Sequence, residues 1–322
     1  MHLALQTEHL EATAAAWLGE RCKLVRCAAD EPGFCELLAQ ADALVVRTYT
    51  RVDAALLSRA PRLKVVGRAG VGLDNVDLAA CAARGVVVVN TPEANTSAVV
   101  EYVLALMLDA TRPRGGLDKA VDARRWKELR EELKAPRQLC ELTLGIWGLG
   151  KIGREVARVA AALRMRVVYY DIMEIPEQHR HGALPVDRRQ LCAQADVLTV
   201  HVDGRASNRN LVGPADFALM KPGVVFINAA RGFVVDKVAL AGFLRANAGA
   251  LGMLDVHEPE PFDASYPLLG VPNAHLYPHL ASATALAHTN MSWVVKDVWR
   301  VLNGEEPMHR GVAEACGVWC EV

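Results

Sequence analysis

The chain holds 322 residues, too many for one ordinary compact core and suited to two domains. Hydrophobic residues make up 52% and charged residues 23%, the profile of a soluble globular protein. With 36 basic against 37 acidic residues the formal net charge is −1, which offers nucleic acid or an anionic membrane no whole-chain electrostatic handle.

In chain order, LALQ (Leu3–Gln6), KLVRC (Lys23–Cys27), ALVVR (Ala43–Arg47), LKVVG (Leu63–Gly67) and GVVVVN (Gly85–Asn90) are short, apolar and rich in β-branched residues, so each predicts a strand. Ala-, Leu- and Glu-rich segments such as HLEATAAAWLGE and DLAACAARG predict helices between them. Such β-α alternation implies a parallel sheet covered on both faces. TSAVVEYVLALMLDATR, Thr96 to Arg112, is apolar and too long for a strand, and predicts a buried helix that bridges domains or lines an interface. The stretch from Pro113 to Leu139 is highly charged and reads as a solvated helical face. A second alternation begins at Leu142, with strands LTLGIW, RVVYYD, DVLTVH, GVVFIN, GALGMLD and NAHLY. After Thr284, ALAHTNMSWVVKDVWRVLNGEEP predicts one closing helix ended by Asn-Gly.

No apolar run reaches membrane-spanning length, and the start MHLALQTEHLEATAAAW carries glutamates without a basic leader, so neither a membrane span nor a signal peptide is expected. Eight cysteines are scattered without a CxxC pair, which favours small core residues in a reducing cytoplasm over a metal or disulfide framework. Cys316 and Cys320, one helical turn apart, are the pair whose spacing comes nearest to a metal or redox site, and no His accompanies them. No metal is expected.

The chemistry concentrates in the second alternation. LGIWGLGKIGREVARVAAALRMRVVYYD places Gly148, Gly150 and Gly153 in G-x-G-x-x-G spacing, after a strand and at the opening of a helix that includes Lys151 and Ile152. The next strand ends in an acid, Asp171. This is the dinucleotide fingerprint: glycines for a tight turn and close backbone approach to pyrophosphate, a helix N-terminus for its charge, and a carboxylate for the adenosine ribose. A carboxylate there repels a 2′-phosphate, so NAD is expected rather than NADP. His201, Asn228, Arg231, Asp255 and His279 each follow a predicted strand, where ligands bind in open parallel sheets. A lone imidazole such as His279 is by itself only a turn residue.

GRAGVGLDNVDL, GLGKIG, INAARGFVVD, LDVHEPEP and PHLASAT resemble, in order and along nearly the whole chain, the motifs of the D-isomer-specific 2-hydroxyacid dehydrogenases. VVGRAGVGLDNVD and NTPEANTSAVVE are most similar to the D-3-phosphoglycerate dehydrogenase branch. The resemblance implies two doubly wound parallel-sheet α/β domains, with a Rossmann NAD-binding domain (96–284) inserted in a flavodoxin-like substrate domain (1–95 plus 285–322) and the active site in the cleft between. It implies a homodimer, for which the apolar Thr96–Arg112 helix is a candidate interface. It also implies catalytic Arg231, Glu260 and His279. The cofactor set it implies is Gly148, Leu149, Gly150, Lys151, Ile152, Gly153, Asp171, Val202, Ala229, Ala230, Arg231, Asp255, His279 and Ala281, with Asp255 beside the nicotinamide carboxamide. The substrate set is Arg47, Arg68, Ala69, Gly70, Val71, Gly72, Arg231 and His279. Arg47 and Arg68 are candidates for a second anionic group such as phosphate, and a surface position beside a strand end is the alternative, favoured for Arg51.

The residue types suit the reaction. Reducing a 2-oxo acid needs a permanent planar clamp on the carboxylate, which is arginine, and a proton donor titrating near neutrality, which is histidine. A carboxylate beside the imidazole orients it and favours its charged form. Five departures mark a divergent member: HVDGRASNRN in place of the H-x-P stretch, Tyr277 before Pro278, Ala229 before Ala230-Arg231, Ala98 on the long helix, and the charged stretch Arg124–Arg137 in place of the usual linker. The expected activity is NAD-dependent interconversion of a D-2-hydroxy acid and its 2-oxo acid, with 3-phosphoglycerate/3-phosphohydroxypyruvate and hydroxypyruvate/glyoxylate as candidate pairs. The alternatives are an NAD(H)-binding corepressor-like protein with little turnover and a formate- or phosphite-type dehydrogenase.

Overall fold

A computed structural model describes residues 1–311. It divides into two compact units, Met1–Asn95 with the chain from Ser282 onward, and Thr96–Ala281. The second unit ends three residues before the position expected from sequence, at 281 rather than 284. Cys316 and Cys320 lie outside the described residues.

In the first unit, β1 (Leu3–Gln6), β2 (Lys23–Arg26), β3 (Ala43–Val46), β4 (Val65–Arg68) and β5 (Val87–Val89) form a parallel sheet in the order β2-β1-β3-β4-β5. Strand alternation divides the core. Leu5, Leu44, Val46, Val66 and Val88 face helices 34–40, 54–58 and 78–83. Ala4, Ala43, Val45, Val65 and Val89 face helices 12–19 and 295–302. Two buried faces explain why the strands read as unbroken apolar runs. The segment expected as one closing helix is two, Ala285–Ser292 and Val295–Leu302, interrupted at Trp293 and Val294. The break lets Val294, Val295 and Val298 enter the core while Ala287 and Met291 are buried from the first piece. Asn303 and Gly304, the latter with φ of +80°, end the second piece.

In the second unit, β6 (Thr143–Trp147), β7 (Arg166–Tyr170), β8 (Leu184–Pro185), β9 (Val197–Val200), β10 (Val225–Asn228), β11 (Leu251–Leu254) and β12 (Ala274–Leu276) form a parallel sheet in the order β12-β11-β10-β9-β6-β7-β8. The chain runs outward from β6 through β8 and then returns to β9, on the other side of β6. The carboxyl ends of β6 and β9 therefore flank a topological switch point, the place where such sheets bind ligands. Helix Thr96–Thr111 packs on helix Lys151–Ala162 and on β10 and β11, burying Val99, Val103, Leu106 and Met107. Helix Ala123–Glu132, from the charged stretch, buries no residue and is laced by Arg124–Glu128 and Arg125–Glu132 pairs. Among the described residues no helix is long and apolar enough to cross a membrane. Cys22, Cys27, Cys81 and Cys192 are buried, and Cys35 and Cys140 are exposed.

Candidate active site

At the carboxyl end of β6 the three fingerprint glycines do three different things. Gly148 has φ of +95°, and a Cβ there would stand 2.7 Å from the His201 carbonyl oxygen, so only glycine fits the turn. At Gly153 a Cβ would lie 2.2 Å from the Gly148 carbonyl oxygen, so glycine lets the helix start against the strand. Gly150 caps helix 151–162 and has nothing within 4 Å of a Cβ position, so there is space in front of the helix start. Leu149 is buried, while Lys151 and Ile152 are half-buried at the helix start. Val202 packs on Gly148 from the end of β9. The open cradle at Gly150 and the acid at the end of β7 are the features a dinucleotide requires.

Asp171 has a further task. Its Oδ2 accepts from the Leu149 N–H at 2.6 Å and its Oδ1 from the Met173 N–H at 2.9 Å, so the carboxylate ties the glycine turn to the end of β7. His201 bonds Thr199 Oγ1 through Nε2 at 2.9 Å, and burial pushes its imidazole down to about 4. It is a neutral structural histidine beside the turn. The departing loop after it closes on itself: Arg205 Nε donates to Asp203 Oδ1 at 2.7 Å and Asn208 Nδ2 donates to the Asp203 carbonyl at 3.0 Å.

A second group of polar residues forms at the ends of β10, β11 and β12. Asn228, the last residue of β10, accepts from the Ala230 N–H at 3.0 Å and donates to the Arg231 carbonyl at 3.0 Å, fixing the tight Ala229–Arg231 turn. Arg231 is half-buried and its Nη1 reaches the Ala230 carbonyl at 2.7 Å. The following Gly232 packs on the next loop so closely that a Cβ would meet the His257 carbonyl carbon at 2.0 Å. Asp255, after β11, is 0% exposed, and its two oxygens accept from the Leu280 and Ala281 N–H groups at 2.8 Å each. Asp255 therefore shapes the loop that follows β12. His279, in that loop, has φ of +57° and donates its N–H to the Asp255 carbonyl at 2.9 Å. Left-handed backbone at a non-glycine residue persists only where the surroundings enforce it.

His279 Nδ1 and Glu260 Oε2 are 2.8 Å apart, with side chains 39% and 35% exposed. The other Glu260 oxygen accepts from the His257 N–H at 2.6 Å. Partial burial pushes the Glu260 carboxyl up, but the bonds from His279 and from the His257 N–H outweigh it and hold the group below its ordinary value. The pair takes up Nδ1, so Nε2 is the ring's remaining nitrogen. Arg231, Glu260, His279, Asp255 and the glycine turn all belong to the second unit.

Sequence reasoning missed His257, although it lay inside the quoted LDVHEPEP. It is buried between Phe262, Tyr266 and the Tyr277 carbonyl. It also missed Tyr102, whose hydroxyl is pushed well up by burial and by the Asp255 carboxylate. Nothing in residue spacing connects Tyr102 to position 255.

The first unit holds the other expected substrate residues, Arg47, Arg68 and Ala69 to Gly72. Glu8 accepts from the backbone N–H groups of Arg47 (3.0 Å), Thr48 (2.8 Å), Tyr49 (3.1 Å) and Thr50 (3.0 Å), so the loop after β3 folds around this one carboxylate. Burial raises the Glu8 carboxyl and the four backbone bonds together bring it below its ordinary value. Burial pushes the Arg47 guanidinium below its usual value, with Glu8 and Tyr49 opposing. Gly70, with φ of +149°, lies under the Arg68 guanidinium, and a Cβ there would meet Nη1. Asn90 Nδ2 holds the Val71 carbonyl at 2.8 Å, and Ala69 is buried beside the half-exposed Gly72 turn. Arg51 is 82% exposed and stands 3.9 Å from Asp53, as a surface residue does.

The parallel sheet order with its switch point and the glycine turn define a dinucleotide-binding α/β fold, and comparison with known proteins agrees. Residues 104–281 match the family described as D-isomer specific 2-hydroxyacid dehydrogenase, NAD binding domain. The chain is 40% identical over 260 residues to a D-3-phosphoglycerate dehydrogenase of Archaeoglobus fulgidus, covering 80% of this chain and 48% of that one. It is 36% identical to a glyoxylate reductase of Aeropyrum pernix over 263 residues, 80% of this chain and 78% of that one. The crystal structure of the TT0316 protein from Thermus thermophilus superposes with a TM-score of 0.83 at 33% identity, covering 96% of this chain and 100% of that one. The chain belongs to the D-isomer-specific 2-hydroxyacid dehydrogenase family. It spans about half the length of the phosphoglycerate dehydrogenases it matches.

Proposed function

We propose that the protein is an NAD-dependent oxidoreductase that interconverts a D-2-hydroxy acid and its 2-oxo acid. The observation that carries this reading is the 2.8 Å His279–Glu260 pair, held in one unit with Arg231 and an open glycine turn. The glycine turn Gly148–Gly153 with Asp171 would hold NAD(H), which would supply or accept the hydride at C2. Arg231 clamps the substrate carboxylate with two parallel N–H groups. His279 gives a proton from Nε2 to the carbonyl oxygen in reduction and takes it from the hydroxyl in oxidation. Glu260 stabilises the imidazolium and fixes the ring through Nδ1. Asp171, whose oxygens each have acceptor capacity beyond their one backbone bond, would accept from the ribose hydroxyls and disfavour a 2′-phosphate, so NAD is favoured over NADP.

Arg47 and Arg68 in the first unit serve the substrate, and the relatives support two classes of it, the 3-phosphoglycerate pair and the hydroxypyruvate/glyoxylate pair. We place the enzyme in the cytoplasm as a homodimer; helix Thr96–Thr111, expected from its apolar face to line the interface, buries that face within its own unit. A panel of 3-phosphohydroxypyruvate, hydroxypyruvate, glyoxylate and pyruvate, followed by NADH absorbance, tests the activity. Turnover of one or more is expected, and inactivity toward all four with NADH bound contradicts it. Calorimetric titration giving equal or tighter NADPH binding contradicts the cofactor choice.

A further inference from the structure

The His279–Glu260 pair is assembled from two loops, and one side chain to which the mechanism gives no role touches both. His257 is 6% exposed. Its backbone N–H donates to Glu260 Oε1, which leaves Oε2 to face His279. Its ring makes two bonds, Nε2 to the Tyr277 carbonyl at 2.8 Å and Nδ1 to the Tyr266 hydroxyl at 3.2 Å. A carbonyl oxygen only accepts, so Nε2 carries the proton, and in the neutral ring Nδ1 then accepts from Tyr266; this network assigns the tautomer. Phe262 and Tyr266 stack on each other at 4.6 Å and meet the imidazole edge-on at 4.7 and 5.4 Å, which fixes the ring plane. On its other side the His257 backbone is the surface against which Gly232, next to Arg231, is pressed.

We infer that His257 is a positioning residue for proton transfer: its Nε2–H, oriented by Tyr266, pins the Tyr277 carbonyl and so holds His279 at bonding distance from Glu260. This rests on the reading of His279 as the proton donor. The need for such a pin follows from the backbone. His279 sits in the left-handed region, with Asp255 gripping its N–H and those of the next two residues on one side. Tyr277, two residues earlier, donates its own N–H to the Leu254 carbonyl, and its carbonyl is the group His257 takes. Removing that bond frees the loop upstream of the imidazole without touching any group that meets substrate.

The test uses the full chain with NADH and the 2-oxo acid that the wild type reduces fastest, over roughly pH 5 to 9, the range in which histidine titrates. His257→Phe keeps the ring volume and loses the Nε2 donor, while His257→Gln keeps a donor. The Phe variant is expected to lose roughly tenfold in kcat, inside the range for small misplacements of reacting groups, and its falling alkaline limb should move to lower pH. KM and NADH affinity stay within about twofold, and Gln recovers most of the rate and the limb. In a Glu260→Gln background, His257→Phe should add little, because the two changes act on one pair. Tyr266→Phe, which removes only the hydroxyl, gives a smaller change in the same direction and serves where His257→Phe does not fold. An unchanged kcat and pH limb, or losses that simply multiply with those of Glu260→Gln, overturns the inference. If His279→Ala abolishes turnover while His257→Phe changes nothing, only the positioning role falls; undiminished turnover in His279→Ala overturns both readings.

Discussion

The two sheets are anchored alike at the amino ends of their strands and finished differently at the carboxyl ends. In the first unit Asp42, just before β3, accepts from the Leu3 N–H that opens the neighbouring β1 at 3.0 Å, with Arg62 at 3.5 Å and Lys64 at 3.9 Å. In the second, Asp196, just before β9, accepts from the Thr143 N–H that opens β6 at 2.8 Å, with Arg137 and Lys221 at 3.0 Å each. The same buried acid, strand N–H and two Arg/Lys cations recur in two sheets of different strand order, with His2 Nδ1 as a third group on Asp42 at 3.6 Å. At the opposite end the resemblance stops. The chain leaving β1 puts Glu8 into the N–H groups of its own neighbouring loop, whereas the chain leaving β6 turns at Gly148 and leaves the helix N-terminus at Gly150 open. Both units set carboxylates on backbone N–H groups there, Glu8 in the first and Asp171 and Asp255 in the second, but the glycine at the start of helix 151–162 has space before it where the Glu8 loop is closed around its acid.

The comparison can be broken first at the turn itself. Gly148→Ala combines a left-handed backbone with a 2.7 Å contact to a carbonyl oxygen, and should destabilise the protein by about 2–4 kcal/mol in urea unfolding. Stability within about 0.5 kcal/mol of wild type would mean the turn is not held as described. Next come the anchors. Asp196→Asn should cost about 1–3 kcal/mol, and Asp42→Asn less, because its cations stand farther off. Equal losses would remove the argument from distance.

Both anchors also predict a pH dependence. Burial raises each carboxyl, and the strand N–H and the cations bring it below its ordinary value. The folded state therefore binds its proton later than the unfolded chain does. The stability these groups give is complete above the ordinary aspartate range and drains away as pH falls through the lower folded value. Asp196→Asn should flatten the acid limb of a stability-versus-pH curve; an unaltered limb contradicts the assignment. The smallest effect on the fold belongs to Gly150→Ala, where the Cβ meets nothing. It should leave unfolding unchanged while weakening NADH binding roughly tenfold, about 1.4 kcal/mol, by filling the approach to the helix N-terminus.

Much of this was legible in the sequence, and the exceptions share a cause. Strands buried on both faces announce themselves as apolar runs, and the glycine spacing, Asp171 and the Arg231, Glu260 and His279 motifs are local signals. β8 escaped notice because it is two exposed residues, one of them a proline at the sheet edge. The break at Trp293–Val294 has no Gly or Pro to mark it, since packing rather than propensity ends the first helix. Glu8, Tyr102 and the His257–Tyr266 strut work through contacts between residues distant in sequence or spaced without a period. Asp255 was singled out as a cofactor contact, yet its burial and its grip on residues 280 and 281 come from tertiary structure alone.

The central claim, that His279 moves the proton, meets its most direct test in the pH profile of 2-oxo acid reduction by the wild type, Glu260→Gln and His279→Ala. The wild-type rate should fall as pH rises and the imidazolium loses its proton. Glu260→Gln, which removes the charge at 2.8 Å, should bring that fall to lower pH with NADH binding nearly intact. His279→Ala should lose about 10²-fold or more in turnover and lose the limb with it. Near-normal turnover in His279→Ala, with the wild-type profile preserved, would make the imidazole a turn residue and contradict the account.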